Sequence, residues 1–144
     1  MEVVKKSMWL PYAREDLFKL VADIEGYPQF LPWCSGAKIL KRFPGGVEAS
    51  LTLHKGSISK SFVTRNLIRE NEKIEMHLVS GPFKHLYGVW TFEAKDAGVT
   101  IGLEMEFSFD NRLIAMMVGP LFKPVTNTLL EAFVQRAGEV CQAM

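Results

Sequence analysis

Hydrophobic and polar residues alternate along much of the chain between residues 36 and 110. The alternation is clearest over residues 99–109, where every second side chain is apolar and most of the intervening ones are small or charged. Because successive side chains of a strand point to opposite faces of a sheet, this pattern predicts strands with one dry and one wet face. Turn-forming residues divide the region into about six strands, and residues 2–10 add another. The turns lie at 44–46, 55–56, 71–73, 80–82 and 95–98.

The C-terminal segment follows a helical rather than an alternating pattern. Its apolar residues recur at intervals of three and four, which predicts a long amphipathic helix whose apolar face covers the sheet. The residues that set this pattern are Leu121, Val125, Leu129, Ala132, Phe133 and Val140. Pro120 and Pro124 predict a bend or a break near the start of this helix, and residues 14–23 predict a short helix after the first strand.

Together these elements predict a single α+β domain over residues 1–144 with the helix-grip architecture. In this fold a curved antiparallel sheet, here of about seven strands, wraps around a long C-terminal helix. Such a sheet cannot touch the helix along its whole length. The space between them is filled either by large side chains or by a ligand, and we expect an apolar cavity there.

Composition and charge narrow the range of partners. The chain is 48% hydrophobic and 23% charged with a net charge of +1, so no global field draws it towards nucleic acid or an anionic membrane. The first residues lack the apolar core of a signal peptide, and no apolar run approaches the roughly 18 residues of a membrane span. We expect a cytoplasmic protein without a transmembrane segment, in which Cys34 and Cys141 are free thiols.

Residues 25–33, EGYPQFLPW, are too apolar for a plain surface loop and too interrupted by proline for a long helix. We interpret Phe30, Leu31 and Trp33 as a lid over the mouth of the cavity, and the alternative is that they plug the core. By parity, the rest of the ligand-binding wall consists of Phe62, Met76, Leu78, Phe83, Leu86, Trp90, Met105, Phe107, Met117, Leu121, Phe122, Val125 and Leu129. For each of these residues, ordinary core packing is the alternative.

The sequence contains no GxSxG motif, phosphate-binding loop or GxGxxG motif, so we predict no catalytic residue and no required cofactor. His54, His77 and His85 have no ligand spacing with a carboxylate or a thiol, and we predict no metal site. Lys60 is the charged residue most consistent with an interior-facing position. An edge-strand lysine that prevents aggregation is the preferred interpretation of that residue.

Basic residues concentrate in two neighbouring strand regions. Phosphate neutralisation needs only a handful of such contacts, so a local basic surface could bind RNA despite the low net charge. The candidate RNA-binding residues are Lys38, Lys41, Arg42, Lys55, Lys60, Arg65 and Arg69. The alternative is a solvated charged face with no partner.

Four segments carry a family resemblance: VADIEGYPQFLPWC at 21–34, GSISKSFVTRN at 56–66, GPFKHLYGVWTF at 81–92 and EMEFSF at 104–109. The chain resembles the START-like ubiquinone-binding family, also labelled coenzyme Q-binding or polyketide cyclase/dehydrase-like, and within it most closely the bacterial ribosome association toxins. The resemblance implies a START/Bet v 1-like helix-grip fold whose tunnel accepts ubiquinone or a similar isoprenoid lipid.

The family resemblance implies two different functions. Some members present ubiquinone for respiration, whereas the bacterial branch is described as binding the large ribosomal subunit and blocking subunit association. We expect non-catalytic binding of a hydrophobic small molecule, with the large ribosomal subunit as the alternative partner; transient membrane contact and polyketide cyclase activity stay open. One departure from the bacterial branch is Ala13, where a serine near the first helix cap is common, at a cost of about 1 kcal/mol.

Overall fold

The computed structural model describes residues 1–143, which form seven strands and two α-helices. The strands are β1 (Glu2–Leu10), β2 (Cys34–Phe43), β3 (Gly46–Lys55), β4 (Ile58–Arg69), β5 (Lys73–Ser80), β6 (Phe83–Lys95) and β7 (Gly98–Phe109). The helices are α1 (Arg14–Ala22) and α2 (Arg112–Val140), and a 3-10 helix (Ile24–Gln29) follows α1.

The seven strands form one antiparallel sheet in the order β1-β7-β6-β5-β4-β3-β2. The chain meanders from β2 to β7 through hairpins, and β1 forms the far edge beside β7. Gly45 and Gly56 have positive φ angles of 88° and 60° in hairpin turns, a backbone region that glycine occupies without strain. The predicted fold class, a curved antiparallel sheet around a long C-terminal helix, is confirmed.

Alternate residues of each strand face the long helix. In β7, Val99, Ile101, Leu103 and Phe107 are each at most 1% exposed, whereas Glu104 on the other parity is exposed. The dry face of the sheet therefore lies where the alternation predicts it. The main core fills the space between this face and the two α-helices.

Helix α1 packs on the dry face through Leu17, Phe18 and Val21, and the Phe18 ring centroid lies 5.5 Å from that of Phe92 in β6. Its N-cap residue, Ala13, has no side-chain acceptor for the free amides of the first turn. The helix is thus anchored by its buried face and left uncapped at its start.

Helix α2 is continuous over 29 residues, so it does not break at Pro120 or Pro124, and the alternative of a bend there stays a prediction. Asn111 caps its start, because its side-chain oxygen accepts a backbone hydrogen bond of 2.9 Å from the first turn. Beyond the prolines, the hydroxyls of Thr126 and Thr128 donate to backbone carbonyls three and four residues earlier. Packing of the buried face holds the helix together where proline removes amide donors.

By length and composition, α2 is apolar enough to cross a membrane, with a mean hydropathy of 1.3 over its most apolar window. The expectation concerned an unbroken apolar run, whereas residues 113–130 reach this level with Lys123 as the single charged side chain among them. The core helix of a soluble protein meets the same criterion. In this fold Leu121, Phe122 and Phe133 of α2 are buried in the core.

Replacing Ala13 by threonine should stabilise the fold by about 1 kcal/mol, because the hydroxyl can accept a hydrogen bond from an amide in the first turn of α1. For a domain of this size the melting temperature should rise by roughly 2–5 °C. Ala13→Val introduces a side chain of the same shape as threonine but without an acceptor, and it is the matched control. Thermal unfolding of both variants is followed by circular dichroism. Equal melting temperatures for the two variants would contradict the capping argument.

Candidate functional site

A cavity lies between the dry face of the sheet and α2, and strands β3 to β7 all contribute to its wall. Its volume is about 70 Å³, counted as the space open to the centre of a water-sized sphere. A single water needs roughly 10–15 Å³ by that measure, so the cavity has room for a ring or a short branched chain. The sheet and the helix therefore leave a central hollow between them.

Nine of the sixteen predicted ligand-binding residues line this cavity. All are apolar, and they come from four strands, α2 and the segment that follows α1. The nine are Trp33, Phe62, Met76, Leu86, Trp90, Met105, Phe122, Val125 and Leu129. Sheet and helix touch directly at Trp90, whose ring centroid lies 5.0 Å from that of Phe133.

The other seven predicted residues lie elsewhere. Phe83 and Phe107 belong to an aromatic cluster, where their ring centroids lie 4.8 and 4.9 Å from that of Phe122. The interior assignment of Met117 was wrong, because α2 turns Val118 towards the core and leaves Met117 44% exposed. Four more pack in or against the core without reaching the cavity wall: Phe30, Leu31, Leu78 and Leu121.

The segment between α1 and β2 packs largely as core. Leu31 is fully buried, and the Phe30 ring centroid lies 5.2 Å from that of Phe133. The Arg136 guanidinium covers the Phe30 ring at 5.3 Å. The lid interpretation was therefore wrong for Phe30 and Leu31, which fill space against α2, while the half-buried Trp33 lies at the cavity wall.

Ten wall residues were absent from the sequence prediction. They are Ile24, Tyr27, Ala49, Leu51, Leu53, Thr64, Asn66, Gly88, Thr126 and Phe133. The alternation of Ala49, Leu51 and Leu53 with polar neighbours in β3 was a usable signal for three of them. Thr64 and Asn66 escaped prediction because hydrophobic parity cannot identify polar residues that face inward.

The polar part of the wall is formed by two residues of β4. Thr64 and Asn66 are 7% and 5% exposed, and the Thr64 hydroxyl donates to the Asn66 Oδ1 over 2.8 Å. The Asn66 Nδ2 donates no hydrogen bond within residues 1–143, so this donor is available to a molecule in the cavity. Thr126 is already satisfied, because its hydroxyl donates to the Lys123 carbonyl over 2.9 Å.

Among the wall residues that the structure describes, Tyr27 is the one with an ionisable side chain. Its hydroxyl donates to the Val21 carbonyl, and burial, assisted by the negative charge of Asp23, raises the pKa of Tyr27. The neighbouring Cys34 thiol donates to the Gly36 carbonyl, and burial raises the pKa of this thiol as well. Both groups are therefore protonated at neutral pH and neither serves as a general base.

Four of the seven predicted RNA-binding residues share the wet face of the sheet. The strand register places Lys38, Lys41, Arg65 and Arg69 there. The Arg65 guanidinium is already engaged, since it lies 4.0 Å from the centroid of the Phe43 ring and 3.4 Å from a Glu48 carboxylate oxygen. Within the described chain, the other three cations make no ion pair.

The remaining three predicted RNA-binding residues lie apart from this group. Lys60 is opposite the buried Leu53 and Arg42 is opposite the buried Val47, so both have the parity of the dry face. Lys55 lies at the end of β3, beside the start of β4 rather than its end. The seven residues therefore do not form one continuous basic surface.

The histidines do not assemble a metal centre. The side chains of His77 and His85 are 44% and 39% exposed on the wet face, and His85 Nε2 lies 3.1 Å from a Glu106 oxygen. Within residues 1–143, no three His, Cys, Asp or Glu side chains come together in a metal-binding group.

Known proteins resemble the chain over almost its whole length. Residues 10–134 match the sequence profile of the family described as polyketide cyclase/dehydrase and lipid transport. The chain is 41% identical to the ribosome association toxin RatA of Pseudomonas aeruginosa, over 95% of this chain and 96% of that one. It is 27% identical to the mitochondrial coenzyme Q-binding protein COQ10 of Dictyostelium discoideum, over 96% of this chain and 71% of the other.

Solved structures show the same fold, several of them at much lower identity. The ZhuI aromatase/cyclase of Streptomyces sp. R1128 superposes with a TM-score of 0.82 at 16% identity, covering 95% of this chain and 93% of that one. At this level of identity the similarity shows a shared architecture and does not transfer a reaction.

Proposed function

Because the chain belongs to the polyketide cyclase/dehydrase and lipid transport family and is a relative of ribosome association toxin RatA, we propose that it binds a hydrophobic small molecule in its central cavity. The proposed ligand is ubiquinone or a similar isoprenoid quinone, held without chemical conversion and with no required cofactor. Binding of this kind would serve the handling of respiratory quinone. The similarity to a coenzyme Q-binding protein supports the choice of ligand.

One observation carries the proposal: an apolar cavity whose wall includes an amide donor, Asn66 Nδ2, that has no hydrogen-bond acceptor among the described residues. A quinone has ring carbonyl oxygens that can accept this hydrogen bond, and most of its remaining surface is apolar. Burying apolar surface contributes about 25 cal/mol per Å², so roughly 200 Å² would contribute about 5 kcal/mol. The hydrogen bond would then orient the ring, and apolar burial would supply most of the affinity.

The cavity volume limits how much of the ligand fits without movement. About 70 Å³ accommodates a ring or a prenyl unit and is too small for a long isoprenoid tail. Trp33, Met76 and Leu129 are half-buried wall residues, and an unbranched methionine adapts readily to irregular shapes. We expect these side chains to shift and make room for the tail.

The cavity wall supports binding better than catalysis. A cyclase needs a positioned acid or base beside its substrate. Among the described wall residues, Tyr27 is the ionisable one, and its hydroxyl is committed to the Val21 carbonyl. The alternative of a polyketide cyclase therefore finds no acid–base pair at this site.

A second candidate function is binding to the large ribosomal subunit, which would block subunit association and translation initiation in the cytoplasm. The observation that favours it is the 41% identity to a ribosome association toxin along nearly the whole chain. Lys38, Lys41 and Arg69 would supply phosphate contacts from the wet face of the sheet. This surface and the cavity lie on opposite faces of the sheet, so the two functions are compatible.

Ala49→Leu should deprive the protein of bound quinone and leave the fold intact, because Ala49 is 3% exposed at the cavity wall and leucine would occupy the free space. Protein purified from a quinone-producing host is extracted with solvent, and quinone is measured by mass spectrometry. Wild type should release stoichiometric quinone. The variant should release at least about tenfold less, because the leucine side chain fills the space that the ligand needs.

Ala94→Leu makes the same change at an exposed position of β6 and is the matched control, which should keep the wild-type quinone content. Circular dichroism establishes that both variants are folded. If folded Ala49→Leu protein carries as much quinone as wild type, the ligand does not occupy this cavity.

The double variant Thr64→Val with Asn66→Leu should remove the polar anchor at little cost in stability, because both hydrogen-bonding partners are replaced by apolar groups of similar shape. The Kd for decylubiquinone should rise about fivefold, the equivalent of one hydrogen bond of about 1 kcal/mol. The Kd for decylbenzene, which has no carbonyl oxygen, should stay unchanged. Calorimetric titration measures both constants, and an equal loss for the two ligands would argue against a hydrogen bond to the quinone.

Ribosome binding should depend on the wet-face cations. In sucrose-gradient co-sedimentation with large subunits, Lys38→Glu with Lys41→Glu and Arg69→Glu should weaken association at least about tenfold. Binding of wild type should also fall steeply between about 50 and 200 mM salt, since phosphate contacts release counterions. Lys19→Glu with Arg112→Glu and Lys123→Glu makes the same charge change on the two helices, away from the wet face, and is the control. No association of wild type at low salt would exclude this function.

A further inference from the structure

The first two turns of α2 expose an apolar stripe. Leu113, Met116 and Met117 are 65%, 69% and 44% exposed, and Pro120 is exposed one turn later. Residues separated by three, four and seven positions lie on one face of a helix, so the four form a continuous surface. We call this surface the α2 stripe.

The α2 stripe takes no part in the core. The opposite face of the same turns is anchored, because Val118 and Phe122 are each 2% exposed and Leu121 is 4% exposed. The Phe122 ring packs on the aromatic cluster of β6 and β7, and its centroid lies 4.8 Å from that of the Phe83 ring. The helix is therefore held in place independently of the stripe, which faces solvent.

The end of the sheet at which α2 begins exposes further apolar side chains. Antiparallel pairing brings the start of β4 and the ends of β5 and β7 to this same end. Ile58 at the start of β4 is 43% exposed, and Val79 near the end of β5 is 49% exposed. One end of the molecule thus presents apolar groups from the sheet as well as the α2 stripe.

The charges at this end are mostly positive. Lys55, Lys60, Lys84 and Arg112 lie at these strand ends and at the start of α2, and within the described chain none of them forms an ion pair. The carboxylates among them are Asp110 and Glu106, the latter 3.1 Å from His85, while Glu2 is neutralised by Lys123 at 3.1 Å. Four cations against two carboxylates leave an excess of two positive charges at this end, which is above the net charge of +1 for the whole chain.

We propose that this end of the molecule docks on an anionic lipid bilayer, with the first two turns of α2 at the interface. The exposed apolar side chains of these turns would enter the region of the acyl chains, while the flanking cations remain with the lipid phosphates. RNA would satisfy the cations but offers no apolar phase to the α2 stripe. The proposal goes beyond ligand binding, and it holds whether or not the cavity takes a quinone.

The test is co-sedimentation of the full chain with vesicles. Wild type should bind phosphatidylcholine vesicles that contain about 30% phosphatidylglycerol, and should bind pure phosphatidylcholine vesicles much less. Binding should weaken when the salt concentration is raised from about 50 to 300 mM, because the lipid charge is screened. Absence of wild-type binding to the anionic vesicles at low salt would overturn the proposal.

Leu113→Gln with Met116→Gln and Met117→Gln keeps good helix formers and should reduce vesicle binding at least about fivefold. Its control replaces three apolar residues exposed elsewhere: Leu40→Gln with Leu67→Gln and Val140→Gln, which are 48%, 39% and 52% exposed in wild type. The control should bind vesicles as wild type does. Equal binding by the stripe variant and wild type would overturn the proposal.

Circular dichroism checks the fold of each variant. If the stripe variant is unfolded, a charge variant tests bilayer binding instead. Lys84→Glu with Arg112→Glu should lose binding to anionic vesicles, and wild-type binding by this variant would also overturn the proposal. If the stripe variant instead loses ribosome co-sedimentation and keeps vesicle binding, the stripe is a surface for a protein or RNA partner. That result would mean that the α2 stripe binds a protein or RNA and not a bilayer.

Discussion

Aromatic contacts at two places set the distance between the curved sheet and α2, and the rest of the structure depends on that distance. Trp90 meets Phe133 at one place, and Phe122 enters the aromatic cluster of Phe83 and Phe107 at another. Large rings at these two places hold the helix away from the strands between them. The space left over is the cavity, and its apolar lining is the same dry face that drives folding.

Hydrophobic alternation predicted the fold correctly because each strand of the sheet has one face in water and one against the helix. It predicted the cavity less well. Parity says that Phe107 and Trp90 both point inward, but whether a ring borders a void or another ring depends on contacts between distant segments. Asn66 shows the complementary limit, since a polar residue on the dry face violates the pattern and is recognised only when its neighbours in space are known.

The residues of α2 that were predicted to line the cavity were also partly right and partly wrong. Val125 and Leu129 follow the helical period and line the cavity, whereas Met117 was placed inside by parity and is exposed. In an unbroken helix, the packing of the later turns determines which way the side chains of the first turns point. Met117 then faces water, and this exposure is what makes the start of α2 a surface in its own right.

The pairing of β1 with β7 has a consequence for how the chain folds as it is made. Every other strand pair in the sheet joins neighbours in sequence, but β1 pairs with residues on the order of a hundred positions later, from Glu2 with Phe107 to Leu10 with Val99. During synthesis the first strand must therefore stay unpaired until nearly the whole domain has left the ribosome. The first segment to be translated is then the last to find its place, and β1 closes an otherwise assembled meander.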